Sequence, residues 1–563
     1  MKRFSLSRYT RLRLPFALAI TAAAAALVSG AFWLKAQLAP TAPPLSTWMP
    51  PGALLYLESP DFGNLLTRWN QSAEKKAWIA SDNYSVLTRS RLLGRLEQAQ
   101  GEFETAAGTS PEMQLLSEVA GKESALALYD LGNLEFVYIS HLPGSRLDAN
   151  SLWQQRPKYE RRQVAGIDFF HHAAGGRTVA FASKGDYFIV ATNTDLMAQA
   201  LTLIASQPAP SLANETWFRD IAAAGEKSEL RLVFNMEQLV SKPQFRTYWI
   251  QRNVTEMKQY RAGICDLFEN GNTFTEKRTL LRKSPAPAAS DEQAVSRLLA
   301  YVPDRRSFYQ ALADPARERL RAMLIQTVTG EAPSTPGEMF MAPAVTTEAS
   351  AIGTTSDLET RIDEPPAKPG TLPSLDAAVD ALMAMKPLAV LQIQGTTETA
   401  DRVFVVPQST LVFEFAAGNR DAVEAALAPA LQAQVFADSA NWQRTASATS
   451  FGSIEPLAVA AGGPGVFIVS RGPSLAGSAA ANRSGGASAL ERLTYAAGYY
   501  HSLAFAPYLR LFHMIEPKQQ NEPPFFGGNV ASLATSLARL NSIRIRTLEA
   551  QSSLTEEVVY ELK

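Results

Sequence analysis

Residues 261–281 read RAGICDLF ENGN TFTEKRTLL, two strand-like segments on either side of a turn that contains Asn270-Gly271. Asn-Gly is typical of a β-hairpin, because both residues tolerate the positive φ angles of a tight hairpin turn. The C-terminus repeats this plan in residues 541–562, NSIRIRTL EAQS SLTEEVVYEL. The sequence therefore predicts two hairpins, each of which closes one half of the chain.

Further matching patterns lie upstream of the two hairpins, in the same order. Residues 186–190 predict a strand that leads through polar, helix-capping residues into a helix over 196–204. Residues 465–469 lead in the same way into a helix over 475–481. The repeated order predicts two similar α+β units of mainly antiparallel sheet, each with helices covering one face of its sheet.

Each predicted unit opens with an apolar run near a proline. This run is residues 51–57 in the first unit and, more loosely, residues 301–303 in the second. Helices are expected over 84–107 and 314–327. Residues 329–373 are rich in Pro, Thr, Ala and Gly and show little periodicity, so we interpret them as an irregular insertion.

The N-terminus combines a basic leader with an apolar segment. Five basic residues and no acidic residue precede 21 uncharged residues, Leu14–Leu34. As a helix this segment would be about 30 Å long, enough to cross a bilayer, and the basic leader would stay in the cytoplasm. Its length favours a retained signal anchor, although Ser29 and Ala31 leave a cleaved signal peptide open.

These observations divide the chain into six parts. They are a cytoplasmic leader (1–13), a transmembrane signal anchor (14–34), a Pro/Ala spacer (35–45), the first α+β unit (46–283), a linker (284–293) and the second α+β unit (294–563).

Together, four features resemble an uncharacterised bacterial family of exported proteins that is known only as a domain of unknown function. They are the apolar segment 14–34, the Pro-x-x-x-Leu-Tyr-Leu opening at Pro51, the strand entry at 121–131 and the closing hairpin. The family has no agreed activity or catalytic residues. The resemblance therefore implies an exported protein and assigns no functional residue.

Composition narrows the class of partner. The chain has 53 basic and 54 acidic residues; without the six basic residues up to Lys35, the rest carries 47 against 54, a net charge of −7. Nucleic-acid binding needs a clustered positive surface, so we expect no nucleic-acid partner. Cys265 is the single cysteine, which excludes an intrachain disulfide and fits a bacterial envelope.

A serine-lysine hydrolase is the most specific enzymatic alternative. Ser72 and Lys75 have the Ser-x-x-Lys spacing, in which a lysine on the same helix acts as base, and Ser-Asp-Asn follows at 81–83. Only five residues separate the two motifs, however, and no Lys-Thr-Gly occurs. We interpret Ser72 and Lys75 as part of a solvated helix surface.

Metal and phosphate sites are not indicated. The five histidines show no metal-binding spacing, and the adjacent His171 and His172 should point to opposite faces of a strand. The glycine-rich residues 462–465 match the turn at 183–186 in the first unit, so a hairpin turn is favoured over a phosphate loop. We therefore predict no catalytic, cofactor-binding or metal-binding residues and no cofactor.

A basic amphipathic helix over 84–103 is the clearest binding signal. It combines an apolar stripe with Arg89, Arg91 and Arg95, and it could rest on anionic lipid or simply cover the sheet. Several aromatic residues could line a groove, although core packing is the alternative: Trp48, Tyr56, Trp69 and Trp78. Cys265 is expected to be a buried strand residue rather than a reactive thiol.

Three hypotheses for the function remain. The leading one is a non-enzymatic scaffold that is held in the inner membrane, faces the periplasm and binds a partner protein or an envelope component. The second is a carrier or chaperone for a hydrophobic ligand, which would need a large apolar cavity in one unit. The third is an envelope hydrolase, which would need Ser72 or another polar cluster to meet a base in a cleft.

Overall fold

The computed structural model describes residues 43–80, 84, 91–243, 257–303, 308–329, 373–398, 405–432, 442–445, 448–451, 457–472, 474–476, 491–500 and 540–563. Within these residues, one 20-stranded sheet packs against helices. The α+β class predicted from the sequence is confirmed. The predicted anchor 14–34 and most of the insertion 329–373 lie outside the described residues. Among the helices that are described, none has the length and apolar character needed to cross a membrane.

The strands fall into two runs of ten. The first run is β1 (Leu55–Ser59), β2 (Ser124–Asp130), β3 (Glu135–His141), β4 (Glu160–Val164), β5 (Ile167–Ala174), β6 (Arg177–Lys184), β7 (Tyr187–Ala191), β8 (Leu230–Phe234), β9 (Tyr260–Asn270) and β10 (Thr273–Arg282). The second run is β11 (Phe308–Ala313), β12 (Pro387–Glu398), β13 (Val405–Phe415), β14 (Trp442–Arg444), β15 (Ala448–Phe451), β16 (Leu457–Gly463), β17 (Val466–Arg471), β18 (Tyr495–Tyr500), β19 (Leu540–Glu549) and β20 (Ser553–Leu562).

Neighbouring strands are antiparallel throughout the described sheet. The first run pairs in the order β4-β5-β6-β7-β3-β2-β1-β8-β9-β10. The second run pairs in the order β14-β15-β16-β17-β13-β12-β11-β18-β19-β20. The two closing hairpins meet where β10 pairs with β20, from Thr273 opposite Glu561 to Leu281 opposite Ser553.

Both halves of the chain also contain helices. In the first half they are α1 (Phe62–Gln71), α2 (Ala73–Ile79), α3 (Arg91–Ala107), α4 (Met113–Val119), α5 (Gly144–Asp148), α6 (Ser151–Gln154), α7 (Thr194–Ile204), α8 (Thr216–Ala222) and α9 (Met236–Leu239). In the second half they are α10 (Ala294–Leu298), α11 (Arg317–Thr329), α12 (Pro373–Ala384) and α13 (Arg420–Gln432).

Helices cover both faces of the sheet, and the expectation of one covered face was wrong. In the first half, α7 and α8 pack on one face, and α3, α4 and α6 pack on the other. In the second half, α11, α12 and α13 cover one face and α10 covers the other. The physical reason is visible in β7, where Phe188, Ile189 and Val190 are all buried. A continuous apolar run of this kind belongs to a strand that is buried on both sides.

Local predictions can be compared with the structure. Both hairpins form, and Gly271 lies in its turn at φ +60°. The second half opens differently from the prediction, because residues 299–301 form a 3₁₀ helix and its first strand is β11. Residues 474–476 are irregular rather than the start of a helix, and the rest of the predicted helix 475–481 lies outside the described residues.

Candidate ligand-binding cavity

The first half contains an apolar cavity whose floor is formed by paired strands. Leu57 of β1 lies opposite Leu126 of β2, Leu126 opposite Tyr138 of β3, and Tyr138 opposite Val190 of β7. Directly paired residues of antiparallel strands point to the same face of a sheet. Register therefore places these four side chains in one row, and all four line the cavity.

The roof of the cavity is made by α3 and α4. From α3, Leu96, Ala99 and Phe103 line the cavity, and from α4, Leu115 and Val119 do so. The space between roof and floor has a volume of about 410 Å³. This volume falls within the range of roughly 300–1,000 Å³ that is typical of small-molecule sites.

Hydrogen bonds hold both roof helices to the rest of the first half. The Tyr138 hydroxyl donates to the carbonyl oxygen of Val119 at the end of α4, over 3.0 Å. The backbone N–H of Ser151 donates to the carboxylate of Glu118 over 2.7 Å. At the end of α3, the Tyr159 hydroxyl donates to the carbonyl oxygen of Ala106 over 3.0 Å. The roof is therefore anchored mainly at the C-terminal ends of its two helices.

The cavity wall is mostly apolar. Of the 21 lining residues, 16 are apolar and five are polar: Ser59, Gln100, Ser124, Arg177 and Thr192. Ser124 does not present a free hydroxyl, since its oxygen lies 2.8 Å from that of Ser140. Among these lining residues Arg177 is the one that carries a charge. An apolar wall with a few placed polar groups is the usual composition of a ligand pocket.

Arg177 belongs to a cluster with one acidic and one further basic residue. Its guanidinium donates through Nε and Nη2 to one carboxylate oxygen of Glu102, over 3.2 and 2.6 Å, and through Nη1 to the carbonyl oxygen of Asn133. Arg95 donates to the other oxygen of Glu102 over 3.2 Å. Hydrogen bonding from Arg177 holds the pKa of Glu102 below its ordinary value.

The cavity opens to solvent between its two roof helices. Leu96 is 43% exposed and Leu116 is 36% exposed, and both line the cavity. Among the residues that the structure describes, six large apolar side chains are exposed, and all belong to α1–α4: Trp69, Trp78, Ile79, Leu96, Met113 and Leu116. Exposed apolar residues that cluster on one surface are typical of a ligand or partner site.

The corresponding helical layer of the second half is packed with side chains. Between β11 and β12 the chain forms α11 and α12, just as it forms α1–α4 between β1 and β2. Leu320 and Leu324 of α11 and Val379 and Leu382 of α12 are completely buried against the sheet. The polar part of this face is paired internally, since Gln392 bonds to other glutamines: Gln310 at 2.7 Å and Gln326 at 2.9 Å.

Ser72 and Lys75 do not form a catalytic pair. The Ser72 hydroxyl oxygen accepts the backbone N–H of Lys75 over 3.0 Å and donates to the carbonyl oxygen of Trp69 over 2.8 Å. Ser72 is therefore the N-cap of α2, and the ammonium of Lys75 bonds to Asn70 instead. The Ser-Asp-Asn motif at 81–83 lies outside the described residues.

The histidines of β5, the glycine-rich residues 462–465 and Cys265 each take part in the packing or the turns of the fold. His172 contacts the carbonyl oxygen of Ala106 at 2.9 Å, and His171 lies 3.1 Å from the carboxylate of Glu160. Within the described residues, no group of three or more potential ligands could hold a metal ion. Gly462 and Gly463 end β16, and Pro464 and Gly465 form the hairpin turn to β17. Cys265 is half-buried in β9, and burial raises the pKa of its thiol, so it is not an activated nucleophile.

The predicted basic helix overlaps the cavity roof, since α3 covers its described part. Arg95 is not a solvated edge residue, because it also donates to the carbonyl oxygen of Gly132 over 2.7 Å. Phe103 is buried as the apolar stripe predicted, whereas Leu96 is exposed at the mouth. Val86, Arg89 and the side chain of Arg91 lie outside the described part of the chain.

The aromatic residues proposed from sequence do not line this cavity. Trp48 packs against Tyr187 with ring centroids 4.8 Å apart, and Tyr56 packs against Phe218 at 5.3 Å on the opposite face of the sheet. Sequence reasoning missed the cavity itself. The available signal was Leu96, which lies between Arg95 and Glu97 on its helix.

Comparison with known proteins adds little. No family model matches the chain, and no curated protein matches it. Among solved structures, three crystal forms of TP0453 are similar to this chain at 12–14% identity and a TM-score of 0.24. They cover 43–46% of this chain and 81–86% of TP0453.

Proposed function

We propose that this chain is a non-enzymatic envelope protein whose first half binds a hydrophobic ligand in the cavity under α3 and α4. The observation that carries this proposal is the mostly apolar volume of about 410 Å³, which opens to solvent between Leu96 and Leu116. A carrier needs such a space together with an entrance. Of the three hypotheses raised from sequence, the ligand carrier is the one that the geometry supports best.

We also propose that the two halves are copies of one α+β unit. The support is the strand order, because each pairing within β1–β10 has a counterpart within β11–β20. On this proposal, the first copy has a binding space between its helices and the sheet. In the second copy, side chains of α11 and α12 fill the equivalent space. The second copy, in which side chains fill this layer, would then stabilise the first copy through the pairing of β10 with β20.

A scaffold for a protein partner is the second candidate. The observation in its favour is the exposed apolar surface of α1 and α2, where Trp69, Trp78 and Ile79 are each at least 39% exposed. Anchoring by residues 14–34 in the inner membrane, with the bulk of the chain in the periplasm, remains a proposal from the sequence. Crosslinking in intact cells at Trp78 would capture the partner that this candidate requires.

Binding of an uncharged apolar dye tests the carrier proposal. N-phenyl-naphthylamine fluoresces in apolar surroundings, so titration with the full chain measures occupancy of the cavity. The test variant is Leu116→Gln, which places an amide at the mouth. We expect a loss of affinity of about fivefold, because part of the apolar contact is removed.

Met113→Gln is the matched control. Met113 lies on the same helix and is 42% exposed, but it does not line the cavity. It should therefore leave dye affinity unchanged. Absence of dye binding by the unaltered protein, or equal losses in both variants, would refute a binding function for this cavity.

A further inference from the structure

We infer that the ligand is a single-chain amphiphile with an anionic head group, and that Arg177 recognises this head group. This inference rests on the proposed function and adds the chemistry of the ligand to it. Two observations carry it: the placement of charge in the cavity wall and the shape of the cavity.

The charge in the wall is basic and is confined to one end. Arg177 begins β6, which lies beside β7 at the far side of the floor from β1. No acidic residue is among those that line the cavity. A buried guanidinium at the end of an apolar space favours a carboxylate or phosphate as its ligand, because charged hydrogen bonds are the strongest available there.

Arg177 keeps hydrogen-bonding capacity despite its contacts with protein. An arginine has five N–H donors, and those of Arg177 make three hydrogen bonds within the described part of the chain. Glu102 forms an ion pair with Arg177 and a second ion pair with Arg95. One carboxylate thus faces two guanidinium groups. This leaves the cluster of three with an excess of positive charge for an incoming anion.

The shape of the cavity indicates an extended chain. The lining residues come from β1, β2, β3, β7 and β6, which are consecutive in the sheet. At the usual strand spacing, this row of five strands spans about 19 Å. A single alkyl chain, which is long and narrow, can lie along this row with its head group at the end where Arg177 lines the cavity.

Three ligands of equal chain length test the inference: lauric acid, dodecanol and dodecylamine. Each is titrated as a competitor of the dye on the full chain at neutral pH. We expect the acid to bind about tenfold more tightly than the alcohol, since hydrogen bonds to charged groups are stronger than hydrogen bonds between neutral groups. The amine should bind more weakly than either, because it places a cation beside Arg177.

Two variants change the charge of the cluster without removing Arg177, whose loss could also disturb folding. Glu102→Gln should increase the preference for the acid over the alcohol, and Arg95→Gln should decrease it. Arg162→Gln is the control, since this exposed residue of β4 is paired with Glu160 and neither residue lines the cavity. It should leave the preference unchanged.

The outcomes separate the two proposals. If the acid, the alcohol and the amine bind equally well, or if Glu102→Gln does not raise the preference for the acid, the anionic head group is refuted while the binding function stands. If none of the three ligands displaces the dye and the dye itself does not bind, the proposed function fails.

Discussion

Filling the cavity from its roof should stabilise the protein and abolish ligand binding together. Ala99 is the residue for this test, because it lies on α3, lines the cavity and is 8% exposed. In Ala99→Phe, the added ring would enter space that no protein side chain occupies. Ala378→Phe is the matched control, since Ala378 is completely buried in α12 of the packed half.

The two substitutions should change the free energy of unfolding in opposite directions. Burial of a phenylalanine side chain contributes about 1.5–3 kcal/mol, and loss of its rotamer freedom subtracts roughly 0.5–1 kcal/mol. Ala99→Phe should therefore gain about 1 kcal/mol, which raises the unfolding temperature by about 2–4 °C for a unit of this size. Ala378→Phe has no space to enter, and overpacking should cost about 1–3 kcal/mol.

Thermal unfolding followed by circular dichroism, together with dye titration of the same samples, measures both effects. Ala99→Phe should melt later than the unaltered protein and bind the dye at least tenfold more weakly. The reasoning fails if Ala99→Phe is destabilised as much as Ala378→Phe, because the space under α3 would then be no more available than the packed core. It also fails if Ala99→Phe binds the dye normally.

Three further predictions concern the framework around the cavity, and thermal unfolding measures each. Gly121→Ala should lose about 3 kcal/mol, because its new Cβ would lie 2.1 Å from a carbonyl oxygen of β3; no loss would contradict this packing. Asp266→Asn should cost about 1.5–3 kcal/mol, since it removes the carboxylate 2.8 Å from the half-buried Arg231 and leaves only Glu58, at 3.2 Å, of its two acidic partners in the described chain; a cost below 1 kcal/mol would refute it. Arg177 lowers the pKa of Glu102, so their stabilisation is present above the unfolded pKa of about 4.3 and is lost as pH falls through the lower folded value. Glu102→Gln should therefore be less stable than the unaltered protein at neutral pH, and this difference should vanish in acid.

Local signals in the sequence predicted much of the fold. The two-residue loop between β9 and β10 is Gly271-Asn272, between the paired Asn270 and Thr273, and Gly271 supplies its positive φ. The Asn-Gly pair at 270–271 predicted this hairpin, because the conformation of a tight turn depends on adjacent residues. The same applies to Asn193, whose side chain accepts the N–H groups of Asp195 and Leu196 at the start of α7. The β10–β20 pairing could not be predicted, because any strand edge with free backbone groups can pair with another.

The candidate site could not be predicted because a cavity depends on the distance between elements. Leu116 and Leu320 are the same residue type in comparable helices, yet the first is 36% exposed and the second is completely buried. Their difference depends on how each helix is oriented and placed against the sheet, since Leu115, the neighbour of Leu116, is only 7% exposed. Periodicity indicates which side of a helix faces the sheet, but it does not indicate whether the space between them is filled.

The energetic cost of the space supports a bound ligand rather than a packing defect. Buried cavities cost about 24 cal/mol per Å³ in core substitutions. A closed, empty space of about 410 Å³ would then cost up to roughly 10 kcal/mol, which is comparable with the whole folding free energy of a typical domain. Contact with water at the mouth between α3 and α4 reduces this cost without removing it, since most of the wall is apolar. In the second half, leucine and valine side chains of α11 and α12 fill the space between these helices and the sheet. The unfilled layer in the first half is therefore what the proposed carrier function requires, namely a space that an apolar molecule can enter and leave.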